Sequence, residues 1–311
     1  MKIIFVSQDP KPERWTLLLS ALIPTAKIEA WSMDTAKGDA DYAVVWQPPD
    51  ALFKLEPNLR ALFNLGAGVD ALLKSPSLPA ELPIFRLEDA GMSSQMAEYA
   101  VHFVTEFSRD MGTYRQQSEN QIWKTLPPIR KEQWPIGILG YGKIGSAVAQ
   151  VLSSLEYPVA TWIRQPREPN FNSIEMFCGS DNLNSFLNRS RILINTLPLT
   201  DSTEDLLNFT TLAQLKEHAI LINVGRGEHL VDEDLIFALQ EGHIQHAVLD
   251  VFRQEPLPTQ HPFWGHPKIT ITPHVSARTL RESTVAQIAE KIIKLNAGHA
   301  ISGRVDRNRG Y

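Results

Sequence analysis

An apolar tetrad, Ile136 to Leu139, runs straight into Gly140-Tyr-Gly142-Lys143-Ile144-Gly145, and no other stretch limits the architecture so strongly. The tetrad reads as a buried parallel strand, and Ser146 to Leu155 has the apolar spacing of an amphipathic helix. The glycines therefore occupy a strand-to-helix turn, where each has a job. Gly140 permits the tight turn, Gly142 lets a pyrophosphate approach the main chain, and Gly145 lets the helix pack close on the strand. The helix N-terminus then meets the phosphates with its N–H groups and the positive end of its dipole. Glycines also make plain turns in α/β proteins. Here the flanking strand and helix turn the motif into an expectation of dinucleotide binding.

At 311 residues, 43% of them hydrophobic, the chain can bury a large core and is expected to form two domains. A formal net charge of -5 leaves no electrostatic footprint for nucleic acid or an anionic membrane, so the partner is a small molecule or a second copy of the chain. The apolar run Ile3 to Val6 is too short for a signal segment and no stretch reaches the length of a membrane span, which points to the cytoplasm. Cys178, the single cysteine, reads as a small hydrophobe with no role.

Residues 1 to 90 alternate strands with helices: Ile3 to Ser7, the helix Glu13 to Leu22, then Lys27 to Trp31 and Asp41 to Trp46. The last of these strands ends at Gln47-Pro48-Pro49, and Trp46 is either a wall of a site or a half-buried aromatic. The next strand ends at Leu65 and enters Gly66-Ala-Gly68-Val69-Asp70, either a tight turn or a loop whose N–H groups grip a small anion. Ser93 to Met111 reads as one long helix, a connector or a dimer surface. Beyond the glycine turn, strands recur at Val159 to Ile163, Ile192 to Leu197, Ala219 to Val224, Ala247 to Val251 and Ile269 to Thr272, with a helix at Asp232 to Glu241 and a last one at Thr279 to Ala297. The second half is thus a doubly wound sheet around the glycine turn.

Three polar residues fall at or just beyond the strand ends of that half. Arg226, in Asn223-Val-Gly-Arg-Gly227, presents a fork suited to a carboxylate, and His274, in Thr272-Pro-His-Val275, is a proton donor or acceptor near neutral pH. Glu255, in Val251-Phe-Arg-Gln-Glu-Pro256, is a carboxylate that would raise the histidine pKa and orient its ring. Singly, each also fits an ordinary structural role.

Together with Leu65-Gly-Ala-Gly-Val-Asp70, Leu197-Pro-Leu-Thr200, Leu249-Asp-Val-Phe252 and Glu255-Pro-Leu-Pro258, these motifs stand in the order of the D-2-hydroxyacid dehydrogenase family, which the chain resembles over its whole length. Trp46-Gln-Pro-Pro49, Arg86-Leu-Glu-Asp-Ala-Gly-Met92, Gln95-Met-Ala-Glu-Tyr-Ala100 and Val305-Asp-Arg-Asn-Arg-Gly-Tyr311 are most similar to the members that reduce glyoxylate and hydroxypyruvate. The resemblance implies two doubly wound parallel-sheet domains. A Rossmann-like cofactor domain, 99–284, is inserted in a flavodoxin-like substrate domain, 1–98 and 285–311. It implies a homodimer using the long helix, and a cleft that closes over the substrate. It makes Arg226 the holder of the substrate carboxylate and carbonyl, His274 the general acid and Glu255 its partner. Gly68 and Val69 would take the other end of the carboxylate. Asp250 would contact the nicotinamide carboxamide, Leu197 and Pro198 would line the adenine side, and Val224 would join the cofactor site.

Other readings share parts of this pattern. A phosphoglycerate- or formate-type dehydrogenase has the same motifs, and a dinucleotide-sensing binding protein keeps the fold without turnover, though Arg226, Glu255 and His274 together argue against it. His243 and His246 have ligand-like spacing with no nearby carboxylate cluster, so no metal is expected. Cofactor choice is legible at the second strand of the glycine unit. NAD-specific sheets carry an acid about twenty residues past the glycines, whereas this strand ends in Trp162-Ile163-Arg164-Gln165-Pro166-Arg167. Arg164 and Arg167 each suit a 2′-phosphate. The expected outcome is a lower KM for NADPH than for NADH, a preference that Arg164→Ala narrows; equal or better use of NADH by the unaltered protein would refute it.

Overall fold

The computed structural model describes residues 1–166 and 173–311. Its first elements are β1 (Lys2–Val6), α1 (Glu13–Leu22), β2 (Lys27–Ala30), β3 (Tyr42–Val45), α2 (Ala51–Leu55), β4 (Ala61–Asn64), α3 (Asp70–Leu73) and β5 (Ile84–Phe85). Then come α4 (Met92–Ser108), α5 (Met111–Glu119), β6 (Ile136–Leu139), α6 (Lys143–Ser154), β7 (Val159–Ile163), β8 (Ile174–Cys178) and α7 (Leu183–Arg189). The chain closes with β9 (Ile192–Asn195), α8 (Phe209–Leu212), β10 (Ala219–Asn223), α9 (Asp232–Gln240), β11 (Ile244–Leu249), β12 (Ile269–Ile271) and α10 (Arg281–Asn296). They form two compact units, Met1–Gly91 with Thr279–Tyr311, and Met92–Arg278. Both crossings fall a few residues earlier than the boundaries expected from sequence: α4 packs on α6 and goes whole with the second unit, and α10 packs on α1 and goes whole with the first.

The first unit holds a parallel sheet in the flavodoxin-like order β2-β1-β3-β4-β5. Strands β1, β3 and β4 are buried along their whole length, as apolar runs in a parallel sheet covered on both faces must be. Ile4, Val6, Val45 and Leu62 pack with Leu52 of α2 and Leu72 of α3. On return, α10 lies against α1, with the Arg281 guanidinium 5.3 Å over the Trp15 ring, and Val305 of the tail joins the core. A Cβ on Gly91, where the chain leaves, would stand 2.8 Å from Leu280, where it comes back.

The second unit is a seven-stranded parallel sheet in the order β12-β11-β10-β9-β6-β7-β8. From central β6 the chain winds outward through β7 and β8, then restarts on the other side at β9. That reversal makes β6/β9 the switch point, where doubly wound sheets bind ligands. Period-two alternation sorts the strands: Ile136, Ile138, Ile192, Ile194 and Ile220 face α4 and α6, while Leu139, Leu193, Leu221 and Leu249 face α7 and α9. Gln95 and Arg278 join the two ends of the unit, the side-chain amide donating to the Arg278 carbonyl (2.9 Å) and accepting its N–H (3.1 Å).

Parts of the fold depart from the sequence reading. The helix expected over Ser93 to Met111 is interrupted: Asp110 takes a left-handed conformation, φ 51°, accepts the Thr113 hydroxyl at 2.8 Å, and starts α5 in a new direction. The edge strand β8 and helix α7 escaped notice, since Ile174-Glu-Met-Phe-Cys178 is short and lacks clean alternation. Among the described residues no helix is long and apolar enough to cross a membrane.

Candidate active site

The glycine turn has the shape its spacing predicts. Gly140 sits at φ +97°, and a Cβ on Gly145 would lie 2.3 Å from the Gly140 carbonyl oxygen, so α6 lies against the turn as closely as a main chain can. A Cβ on Gly142 would meet nothing within 4 Å. This open side, at the N-terminus of a twelve-residue helix with Lys143 exposed and Ile144 half-buried beside it, fits a diphosphate. Leu197 and Pro198, half-buried, follow the adjacent β9; Thr196 ties that segment to the turn through the Leu139 carbonyl, which accepts its hydroxyl at 2.9 Å. Arg164 is exposed beyond β7, and Arg167 lies outside the described residues.

Strands β9 and β10 end in the same tetrapeptide, Ile-Leu-Ile-Asn, and pair so that Asn195 stands opposite Asn223. Both asparagines are fully buried, and the Asn195 amide donates to Asn223 Oδ1 (2.9 Å) and to Nδ1 of the equally buried His229 (2.8 Å). Asn195 Oδ1 accepts the Leu197 N–H (3.1 Å), and Nε2 of His229 contacts the Pro198 carbonyl (3.2 Å). Arg226 lies inside this web: its N–H donates to His229 Nδ1 (3.2 Å) and its carbonyl accepts from Asn223 Nδ2 (3.0 Å). Val224, next to it, is buried.

A second web carries the histidine. His274 Nδ1 lies 2.8 Å from Glu255 Oε2, and Glu255 Oε1 accepts the Phe252 N–H at 3.0 Å. The hydrogen bond that the His274 Nδ1–H donates to Glu255 holds the His274 pKa above the ordinary 6.5, against burial and the nearby Arg226 charge. Burial raises the Glu255 pKa, but bonds from His274 and the Phe252 N–H outweigh it and hold the carboxyl below its usual value. Nearly half of the His274 side-chain surface, 48%, is open.

His274 has φ +54°, an unusual state for a histidine, and Asp250 keeps it there. The Asp250 carbonyl accepts the His274 N–H (2.9 Å). Its carboxylate has no exposed surface: Oδ1 accepts the Thr272 hydroxyl (2.6 Å) and the Val275 N–H (2.8 Å), and Oδ2 accepts the Ser276 N–H (2.9 Å). With the Thr272 proton committed, the Tyr99 hydroxyl of α4 donates to Thr272 Oγ1 at 2.7 Å; burial raises the Tyr99 pKa. Asp250 was singled out from sequence for a cofactor contact, and its anchoring of the histidine turn was not foreseen.

The two webs meet main chain to main chain. A Cβ on Gly227 would fall 1.9 Å from the Phe252 carbonyl carbon, so this glycine lets the arginine loop lie directly on the loop that carries Glu255. Arg253 holds the contact by donating to the Leu230 carbonyl from Nε (2.8 Å) and Nη2 (2.6 Å), and it also pairs with Asp205.

In the first unit, Asn64 Nδ2 donates to the carbonyls of Gly66 (3.0 Å) and Gly68 (2.8 Å), ordering the loop in front of buried Val69. The Trp46 ring, 40% exposed, covers Gly66 so closely that a Cβ there would stand 2.5 Å from it. Among the described residues no three His, Cys, Asp or Glu side chains converge on a metal position, and His246 instead bonds Thr270 at 2.9 Å.

A family model described as D-isomer specific 2-hydroxyacid dehydrogenase, NAD binding domain, matches residues 101–276. Glyoxylate/hydroxypyruvate reductase A of Yersinia enterocolitica is 41% identical and that of Serratia proteamaculans 42%, each alignment covering 100% of both chains. Among solved structures, a D-isomer specific 2-hydroxyacid dehydrogenase from Xanthobacter autotrophicus in complex with NADPH and MES is 35% identical, with a TM-score of 0.93 over 100% of this chain and 99% of that one. An NADPH-dependent glyoxylate/hydroxypyruvate reductase from Sinorhizobium meliloti, in complex with NADP and sulfate, is 28% identical with a TM-score of 0.92 over the same shares.

The contact at Gly227 can be tested against Gly142. Gly227→Ala should lower unfolding free energy by about 1–3 kcal/mol or more in urea titrations, the usual range for overpacking, whereas Gly142→Ala should stay within about 0.5 kcal/mol. Equal effects would show that the close approach at Gly227 is unimportant.

Proposed function

This chain belongs to the D-isomer specific 2-hydroxyacid dehydrogenase family, and from that premise we propose that it reduces small 2-oxoacids, glyoxylate and hydroxypyruvate foremost, using NADPH. The observation that carries the reading is the His274–Glu255 pair, 2.8 Å apart, at a strand end of the unit that also holds the glycine turn and Arg226. A reduced nicotinamide, when bound, would supply the hydride. Gly140, Gly142, Lys143, Ile144 and Gly145 hold the pyrophosphate, Leu197, Pro198 and Val224 flank the nucleotide, and Arg164 with Arg167 receives the 2′-phosphate. Asp250, expected from sequence to contact the carboxamide, has no exposed surface and acts from beneath, by holding the turn that carries His274.

Arg226 holds the substrate carboxylate and polarises its carbonyl. As negative charge develops on the carbonyl oxygen, His274 delivers a proton from Nε2, the nitrogen opposite the one committed to Glu255. Glu255 keeps the imidazolium formed and aimed. A donor and a fixed positive charge at that oxygen stabilise the transition state more than the ground state.

The same reading makes the protein a cytoplasmic homodimer. Helix α5 buries no residue, and beyond it Ile122 is half exposed and Trp123 fully so, at 101%, which supports an arm that a second copy covers.

The pH dependence has a definite sign. The proton donor is the imidazolium, present below its pKa, so kcat/KM for reduction is flat at low pH and falls as pH rises through a value above 6.5. His274→Ala should lower turnover by a factor on the order of 10² to 10⁴ with NADPH binding kept, and Glu255→Gln should move the falling limb to lower pH. Near-normal turnover of the alanine variant would remove His274 from the mechanism. Glyoxylate and hydroxypyruvate should exceed phenylpyruvate in kcat/KM; the opposite order would overturn the substrate class.

A further inference from the structure

Arg226 is held by its main chain as well as its side chain. Its N–H is taken by His229 and its carbonyl by Asn223, and both partners are wholly buried. Nδ1 of His229 faces two N–H donors, Arg226 N at 3.2 Å and Asn195 Nδ2 at 2.8 Å. The Asn195 assignment is set by its other end, where Oδ1 accepts the Leu197 N–H. Nδ1 must therefore offer a lone pair, and the ring proton sits on Nε2, donating to the Pro198 carbonyl at 3.2 Å. One imidazole thus bonds the arginine loop on one side and the segment beside the glycine turn on the other.

We propose that His229 is a positioning residue for Arg226: its neutral Nε2–H tautomer clamps the peptide that carries the guanidinium and ties it, through Pro198, to the loop following β9. The inference rests on the reading of Arg226 as the group that holds the 2-oxoacid. Loss of the clamp leaves two buried N–H donors unmatched and lets the arginine peptide turn, so the oxoacid side of the reaction suffers while the glycine turn, held separately by Thr196, does not.

The side chains available separate the two nitrogens. Asparagine can place an acceptor near the position of Nδ1, whereas glutamine can place a donor near that of Nε2 and none at Nδ1. His229→Gln and His229→Leu should lower kcat/KM for glyoxylate on the order of 10- to 100-fold and weaken inhibition by oxamate, a 2-oxoacid analogue, in parallel. His229→Asn should stay within about 5-fold of the unaltered protein, and NADPH binding, read by fluorescence, should be retained in all. On an Arg226→Gln background, His229→Gln should add no further loss, because its effect passes through the arginine.

The outcomes divide cleanly. If Arg226→Gln alone leaves glyoxylate reduction intact, the functional reading of Arg226 fails. If that variant is crippled while His229→Gln matches the unaltered protein, or if the two losses multiply fully, the functional reading stands and the clamp is overturned. Should the glutamine and leucine variants fail to fold, His229→Asn decides: activity retained supports the clamp, and a tenfold loss with normal NADPH binding refutes it. Nitrogen-15 spectra of the unaltered protein give an independent reading, and a proton on Nδ1 of His229 would refute the proposal outright.

Discussion

A carboxylate with no exposed surface stands at the centre of this molecule's chemistry. Asp250 follows β11 directly, and in such a place a carboxylate is tolerable only if hydrogen bonds replace its water. Three do, from Thr272, Val275 and Ser276, and all three come from the turn that carries His274. The requirement to solvate one charge thereby dictates the conformation of its neighbour, including the left-handed φ that a histidine would not adopt unaided. Tyr99 extends the arrangement to α4, so the packing of a helix and the aim of an imidazole are linked through Thr272.

The parallel sheet explains why so much chemistry converges. Every strand of the second unit ends on the same edge, so residues far apart in sequence emerge side by side: the glycine turn after β6, Leu197 and Pro198 after β9, Arg226 after β10 and His274 after β12. Convergence alone leaves loops free to move. Here main chain rests on main chain at Gly227, and the Asn195–Asn223–His229 trio fills the space between two strand ends. Arg226 and His274 thus sit on loops already locked from below.

Much of this was legible in the chain itself. Apolar runs that stop at a polar residue located Arg226, Glu255 and His274, because burial of a parallel strand ends where its loop begins, and the glycine spacing described a turn whose geometry follows from sterics alone. What escaped depends on strand order. Asn195 and Asn223 are adjacent only because β9 and β10 pair in register, a nonlocal fact, although the repeated Ile-Leu-Ile-Asn was a sign that two strand ends share one environment. The break at Asp110 escaped because apolar spacing continues across it to Met111, and the Gly227 contact because its partner, Phe252, is 25 positions away.

The hydrogen-bonded pair of Gln95 and Arg278 bears on how the chain is made. It closes the second unit at its own entrance and exit, and Gly91 lies against Leu280 on the other side of the crossing. Met92–Arg278 leaves the ribosome ahead of α10, so the inserted unit can begin to fold while the first awaits its last helix. Once finished, it behaves toward the first unit as a short tight link rather than a long slack loop, and the entropy of bringing the N-terminal strands together with the C-terminal helix falls accordingly. Order of synthesis, rather than contact order alone, then sets which half of the protein matures first.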